Sequence, residues 1–182
     1  MSIRIALLRA INVAGRNKVA MSQLRELLEQ LGLTGVRSVL QSGNLVFDSS
    51  RLTGEKLESL LEQETAKRLQ LTADFLVRSV DEWESTIARN PFSKEAQHDP
   101  SHLVIMFLKK VPKPADVNTL RSAIKGPEVL HSDGRQLYLV YPAGIGRSNL
   151  TGTLIEQKLQ TRGTGRNWNT ILKLAVTARD AK

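Results

Sequence analysis

Residues 163–170, with the sequence GTGRNWNT, combine glycines, a cation and amide or hydroxyl side chains, and they contain no acid. An amphipathic pattern follows them and predicts a helix over residues 171–179. A glycine-rich turn that opens a helix directs unpaired backbone N–H groups outward at the positive end of the helix dipole. Arg166 adds a full charge beside these groups. The segment is therefore predicted to bind an anion, and its lack of a carboxylate argues against acid–base chemistry there.

Three further segments share the acid-free composition of residues 161–170, namely residues 9–18, 41–44 and 142–151. If the four segments meet in the fold, they form a concave, donor-rich and positively charged surface that suits phosphate or carboxylate. Such a surface is poor in the oxygen ligands that Mg²⁺ requires. The predicted anion-binding residues are Arg9, Asn12, Arg16, Asn17, Lys18, Gln41, Ser42, Asn44, Ser148, Thr164, Arg166, Asn167, Asn169 and Thr170.

Two alternatives stay open for this predicted site. The cations can be unrelated solvated charges. The polar residues can instead satisfy local backbone groups in turns and helix caps, which applies above all to Asn12, Asn17, Asn44, Ser148 and Thr164.

Trp168 lies within the first segment and has two possible roles. It can stack on a base or ring beside the anion, or it can join the apolar stripe formed by Ile171 and Leu172 in the following helix. The fit to the stripe favours core packing. Phe47 and Phe75 do not form the clustered aromatic motif of an RNA-recognition sheet, so a stacking platform for single strands is not predicted.

The formal net charge is +8 and the isoelectric point is about 10.0, which favours polyanionic partners such as nucleic acid, or anionic substrates. The excess is uneven along the chain. Residues 1–90 contain 12 Lys and Arg against 11 Asp and Glu, whereas residues 91–182 contain 14 against 7. The alternative is a general surplus of solvated cations with no polyanionic partner.

The 182 residues include no cysteine, which excludes disulfides, a thiolate nucleophile and a cysteine-based metal site. The first residues lack the apolar region and cleavage site of a signal peptide, and no apolar run is long enough to span a bilayer. A cytoplasmic location and no membrane partner are therefore expected.

Other motifs give little support to catalysis. Pro100 interrupts the spacing between His98 and His102, and no third metal ligand is evident nearby. Residues 144–148 (GIGRS) match neither the dinucleotide fingerprint nor a P-loop. A nucleophile elbow, an HExxH motif and paired catalytic carboxylates are also missing from the sequence. No catalytic residue, metal site or cofactor is predicted.

Hydrophobic periodicity predicts the elements of the first half. Alternating positions indicate strands and stripes of leucine indicate helices, in the order βαββαβ, over residues 3–8, 21–31, 36–40, 45–48, 57–69 and 73–78. Gly43 and Asn44 suit the positive-φ positions of a tight hairpin between the second and third strands. A short helix over residues 80–89 and a polar connector to residue 100 follow.

The same pattern restarts in the second half. A strand, a helix, a hairpin and two helices are predicted over residues 102–108, 115–124, 129–141, 150–159 and 171–179. The whole order is βαββαβ, then α, βαββα and a C-terminal helix. It predicts an α+β fold of two ferredoxin-like (split βαβ) subdomains in tandem. Their predicted bounds are residues 1–79 and 101–182, with a helix and connector over residues 80–100.

Four segments together resemble a bacterial family designated domain of unknown function 1697. They are residues 8–17 (LRAINVAGRN), 41–47 (QSGNLVF), 90–92 (NPF) and 164–170 (TGRNWNT), and the resemblance covers nearly the whole chain. It implies an α/β protein of two ferredoxin-like subdomains, and it implies no established activity. Ala10 stands where the family usually has Gly, and Asn149 stands where it usually has Lys, so a cation is missing from the predicted site.

Three functional hypotheses follow. The leading one is a non-catalytic or weakly catalytic protein whose basic loops bind a phosphate-bearing partner, either nucleic acid or a nucleotide. A second is an enzyme that acts on a small phosphorylated or carboxylated metabolite in the same cleft. In a third, the two subdomains form a self-associating scaffold and the charge is incidental.

Overall fold

A computed structural model describes residues 2–11 and 18–181 of the chain, so Asn12, Arg16 and Asn17 of the predicted site lie outside the described residues. The chain divides into two compact units. The first unit comprises Met1–Ser85 with Lys173–Lys182, and the second comprises Thr86–Leu172. Compared with the predicted bounds, this division assigns the last residues of the chain to the first unit.

The first unit has the predicted order βαββαβ. Its elements are β1 (Ile3–Arg9), α1 (Met21–Gln30), β2 (Thr34–Ser38), β3 (Asn44–Asp48), α2 (Gly54–Leu69) and β4 (Asp74–Ser79). The strands pair in the order β2-β3-β1-β4, and every pair is antiparallel. Because alternate strand residues share a face, one face of the sheet packs on the apolar stripes of the helices. This core includes Ala6, Leu8, Leu24, Leu28, Leu45, Phe47, Leu57, Leu61, Phe75 and Val77.

The remaining elements begin with two short helices, α3 (Val80–Ala88) and α4 (Ser93–His98). They continue as β5 (Leu103–Leu108), α5 (Pro114–Ala123), β6 (Val129–Asp133), β7 (Gln136–Val140), α6 (Gly152–Leu159), β8 (Gly163–Asn167) and α7 (Trp168–Arg179). The sheet of the second unit has the antiparallel order β6-β7-β5-β8. Its core includes Val104, Met106, Leu108, Leu120, Leu137, Leu139, Ile155 and Leu159.

Two four-stranded antiparallel sheets with flanking helices confirm the predicted α+β class with tandem ferredoxin-like subdomains. The second unit has one strand more than predicted, because residues 163–167 form β8 rather than a turn. The sequence GTGRN has no apolar alternation, so the strand is specified by its pairing with β5 and not by a local pattern. A Cβ at Gly163 would lie 2.6 Å from the carbonyl oxygen of Phe107, and this close backbone approach requires glycine.

Carboxylates of the helices cover the edge strands β4 and β8. Glu62 and Glu58 of α2 accept hydrogen bonds from the backbone N–H groups of Phe75 (2.9 Å) and Val77 (2.7 Å) in β4. In the second unit, Glu156 of α6 accepts from the N–H of Gly163 at 2.9 Å. These side chains satisfy donors that an edge strand would otherwise leave available for pairing with another chain.

The loop between β2 and β3 differs from the predicted hairpin. Leu40 (φ 61°) and Gly43 (φ 73°) take the left-handed conformation, and Asn44 is the buried first residue of β3. The prediction of positive φ at Asn44 is therefore wrong. The amide of Asn44 instead donates hydrogen bonds to Val39 O (2.8 Å) and Ser42 Oγ (2.9 Å), which closes the loop from inside.

Ala10 has φ 62°, in the left-handed region where an L side chain is strained. We expect Ala10→Gly to raise the free energy of unfolding by roughly 0.5–1 kcal/mol, since relief of strain outweighs the greater freedom of the unfolded chain. Ala66→Gly, at an exposed position in the last turn of α2, provides the opposite control, with an expected loss of about 0.5–1 kcal/mol. Urea denaturation of both variants measures the difference. A destabilised Ala10→Gly protein would contradict the strain.

Tyr138 and Tyr141 are buried, and loss of solvation raises the pKa of each to about 12. Asp133 beside Tyr138 and Glu128 beside Tyr141 add to this effect. The unfolded tyrosines titrate near pH 10, so the unfolded state loses these protons first. Their stabilising contribution is therefore complete below about pH 10 and disappears as the pH rises through about 12.

We expect the free energy of unfolding to fall by about 2–3 kcal/mol per tyrosine across this alkaline interval. Urea denaturation at a series of pH values, for the native chain and for Tyr138→Phe with Tyr141→Phe, measures it, because the double variant cancels the titration of lysines. Parallel pH profiles for the two proteins would contradict the prediction.

None of the helices within residues 2–11 and 18–181 combines the length and the apolar character that crossing a bilayer requires.

Candidate anion-binding site

The predicted site residues divide between the two units. Arg9, Lys18, Gln41, Ser42 and Asn44 belong to the first unit. Those of the second unit are Ser148, Thr164, Arg166, Asn167, Asn169 and Thr170.

In the first unit, the described cations do not form an acid-free cluster. Arg9 lies at the end of β1 and forms an ion pair with Asp74 of β4, with Nη1 to Oδ2 at 3.2 Å. Lys18, the first described residue after residue 11, is exposed. Gln41 is exposed, and Ser42 accepts the hydrogen bond from Asn44. These contacts favour the local role of Ser42 and Asn44, and their binding of an anion stays a prediction.

The start of α7 differs from the glycine-rich turn predicted before it. Residues 163–167 form β8, and the helix begins directly at Trp168. The side-chain oxygen of Asn167 accepts from Thr170 N (3.0 Å) and Thr170 Oγ1 (2.9 Å), as a helix-capping residue does. The predicted exposed turn is therefore wrong, and Asn167 already engages a backbone donor of this helix start. Asn169 is exposed.

Arg166 lies in β8 opposite Ile105 of β5. Its Nη1 donates to Thr164 Oγ1 and to the carbonyl oxygen of Gly165, both at 2.8 Å. Loss of solvation on partial burial lowers the pKa of Arg166 to about 10. Trp168 is buried, as core packing requires.

Ser148 is placed beside an acid that the sequence analysis did not associate with it. Its hydroxyl donates a short hydrogen bond to Glu128 Oε1 and accepts from Leu150 N at 2.9 Å. Asn149 is exposed. The four predicted segments contain no acid of their own. The fold nevertheless places acids from other parts of the chain, Glu128 and Asp74, beside residues of these segments.

His102 and Asp99 form a close pair, with Nδ1 and Oδ2 2.7 Å apart. Within the described part of the chain, no group of three or more His, Cys, Asp or Glu residues is arranged to hold a metal ion.

A cavity of about 500 Å³ in the second unit brings together cations that the sequence analysis did not select. We call it the basic pocket, and it is lined by Lys109, Lys110, Thr153, Glu156, Gln157, Gln160, Thr161 and Arg162. Its three cations stand against a single carboxylate, which leaves a formal charge of +2. Hydroxyl and amide groups supply the rest of the lining. A phosphate group is suited to such a surface of cations and neutral donors.

Hydrogen bonds of backbone and side-chain groups fix the walls of the basic pocket. The N–H of Lys109, just after β5, donates to the carbonyl oxygen of Arg162 at 2.9 Å, and the N–H of Lys110 donates to Thr161 Oγ1 at 3.2 Å. Gln160 ends α6 in the left-handed conformation, with φ 53°, and its side chain donates to the carbonyl oxygen of Gln157 at 2.6 Å. The segment that carries Arg162 is therefore held against the end of β5.

The two units differ in charge at this position of their shared topology. In the first unit Arg9 pairs with Asp74. The next residue, Phe75, donates its backbone N–H to Glu62. In the second unit the backbone N–H of Lys109 donates to the carbonyl oxygen of Arg162. The next residue, Gly163, donates its N–H to Glu156. Arg162 thus takes the place of Asp74. An ion pair between strand partners in the first unit thus corresponds to two cations in the second, with Glu156 in the same lining.

A second cavity, of about 650 Å³, lies in the first unit and has a different lining. It combines leucines with one cation, Arg51, and one acid, Asp48. Asp48 Oδ1 accepts from Ser2 N at 2.7 Å. Because the charges balance, this cavity is less suited to an anion than the basic pocket.

The sequence contained a partial signal for the basic pocket. Arg162 lies in the acid-free residues 161–170, and Lys109-Lys110 follows the strongly apolar strand β5 in the more basic half of the chain. Nothing local in the sequence, however, pairs Lys109 with Arg162, which is 53 positions further along the chain.

Three comparisons place the chain among known proteins. A family model described as protein of unknown function (DUF1697) matches residues 1–138. The solved structure of the conserved bacterial protein SP0830 from Streptococcus pneumoniae is similar over 97% of this chain and 98% of that one, with a TM-score of 0.74 and 24% sequence identity. This likeness shows the shared fold. No curated protein matches the sequence.

Proposed function

The chain belongs to the DUF1697 family of proteins of unknown function, and from the geometry of its second unit we propose that it binds a phosphate-bearing ligand in the basic pocket. One observation carries the proposal. At the position where the first unit neutralises Arg9 with Asp74, the second unit places Arg162 beside Lys109 around a cavity. A bound dianion adds a favourable interaction with both cations.

The lining supports phosphate through two kinds of group. Arg162 offers the planar, forked donors that match phosphate oxygens, and Lys109 and Lys110 add compact charges. Thr153 and Thr161 bring hydroxyl groups to the same cavity. The charge excess of residues 91–182 strengthens the attraction of an anion at longer range.

Thermal unfolding of the full chain against a ligand panel tests the proposal. The panel comprises nucleotides, sugar phosphates, inorganic phosphate, short RNA and short DNA, each at low and moderate salt. A ligand that binds the native state raises the melting temperature by linkage. We expect stabilisation by phosphate-bearing compounds and none by their dephosphorylated counterparts.

The panel also separates the three hypotheses raised by the sequence. Stabilisation by polymers alone, with a steep loss in salt, supports nucleic-acid binding. Stabilisation by a small phosphorylated compound that survives salt supports a small-molecule site. An unchanged melting temperature throughout would refute phosphate binding and leave self-association as the better hypothesis.

A further inference from the structure

The lining of the basic pocket lacks any apolar or aromatic side chain. Its neutral members are two threonines and two glutamines, and its only acid is Glu156. Nucleobases are held in proteins by stacking on aromatic or guanidinium planes and by apolar contacts. The lining offers the guanidinium of Arg162 for stacking, and the phosphate takes up that group. Hydroxyl and amide groups instead exchange hydrogen bonds with ligand hydroxyls, because each of them both donates and accepts.

The charge of the pocket matches one phosphate group. Three cations and one carboxylate give a formal +2, and a phosphate monoester carries about −1.5 to −2 at pH 7. Glu156 is held against β8 through its hydrogen bond with Gly163 N, so a carboxylate stays at the wall when a ligand enters. A second phosphate in the same cavity would meet this carboxylate.

Resting on the proposed function, we infer that the ligand is the monophosphate ester of a small polyhydroxylated compound, of the sugar phosphate class. The cations Lys109, Lys110 and Arg162 bind the phosphate. The hydroxylated part of the ligand faces Gln157, Gln160 and Thr153. Gln157 lies on the last turn of α6 and Gln160 at its end. The basic pocket is an open depression of about 500 Å³, which accommodates a small ligand of this class.

Calorimetric titration of the full chain tests this inference with defined probes. These are glucose 6-phosphate, ribose 5-phosphate, glycerol 3-phosphate, inorganic phosphate, glucose, AMP and an eight-residue DNA oligonucleotide. We expect at least one of the three hydroxylated esters to bind about tenfold more tightly than inorganic phosphate and AMP, as one or two added hydrogen bonds provide. Glucose without phosphate is expected not to bind.

Gln157→Met supplies a readout specific to the hydroxylated part. Gln157 is exposed on α6, so the substitution leaves the core intact, and Gln63→Met on the exposed side of α2 is the matched control. We expect Gln157→Met to reduce the affinity for the best ester about fivefold to tenfold and to leave that for inorganic phosphate unchanged. Gln63→Met is expected to change neither affinity.

The outcomes distinguish the inference from the proposed function. Equal affinities for inorganic phosphate and all esters, tightest binding of AMP or DNA, or an unaffected Gln157→Met variant would overturn the inference while phosphate binding stands. Binding of none of the phosphorylated probes would overturn both.

Discussion

Arg162→Asp is expected to lower the affinity of the basic pocket for a phosphate-bearing ligand about 100-fold, because it removes a charge-assisted donor and introduces a repelling carboxylate. The folded chain is expected to tolerate the change, since Asp74 occupies the corresponding position of the first unit beside Arg9. A new pair between Lys109 and Asp at position 162 leaves the free energy of unfolding unchanged or raises it by up to about 1 kcal/mol. Calorimetric titration and urea denaturation measure the two effects.

Lys125→Asp is the matched control for Arg162→Asp. Lys125 is exposed in the second unit outside the basic pocket, and its substitution changes the net charge by the same amount. We expect it to reduce affinity less than threefold, as a long-range charge does under screening by salt. Equal losses in the two variants would mean that net charge alone governs binding and that the pocket is not the site.

Arg166→Gln compares the site predicted from the sequence with the basic pocket. Arg166 already donates to Thr164 and Gly165, whereas Arg162 lines the cavity. If the predicted cluster of residues binds the anion, this variant weakens binding. If the basic pocket does, Arg162→Asp weakens it and Arg166→Gln has little effect.

Glu58→Ala is expected to have the largest effect on stability, with a loss of about 3–5 kcal/mol in the free energy of unfolding. Glu58 and Arg78 are 2% and 3% exposed, and their charged groups lie 3.8 Å apart. Glu58 also accepts from the N–H of Val77 at 2.7 Å. Removing the carboxylate takes away a charge that offsets Arg78 and the acceptor for a buried backbone donor. Urea denaturation measures the loss.

Two further variants separate these contributions. Glu58→Gln retains an acceptor for Val77 N but lacks the charge, so we expect an intermediate loss of about 2–3 kcal/mol. Glu55→Gln, at an exposed position of the same helix, is expected to change stability by less than about 0.5 kcal/mol. A Glu58→Ala protein as stable as Glu55→Gln would show that neither contact of the buried carboxylate matters.

Elements with a clear hydrophobic period were predictable. The stripe of Met21, Leu24, Leu27 and Leu28 is the buried face of α1, and the apolar residues 103–108 form the wholly buried β5. The same reasoning failed where polarity and structure disagree. Residues 163–167 form a strand without apolar alternation, and the polar connector contains α4. In α7, Leu172 and Val176 are largely exposed although they continue the apolar stripe.

The cation-rich composition of the proposed site was predictable more than its position. Composition indicated an anion and the more basic half of the chain, and Arg162 lies in an acid-free segment. The sequence did not reveal the partners of the predicted residues. Asp74, which pairs with Arg9, lies 65 positions away in sequence, and Glu128, which pairs with Ser148, lies 20 positions away. An absence of acids nearby in sequence says little about acids nearby in space.

The sequence by itself determined the α+β class, the order of most elements and the surplus of positive charge, because periodicity and composition are local or additive properties. The tertiary structure decided which charges lie next to each other. Antiparallel pairing aligns Arg9 with Asp74 in the first unit and sets Lys109 against Arg162 in the second. Strand register joins residues that are distant in sequence, and the electrostatic energy of a site depends on those distances.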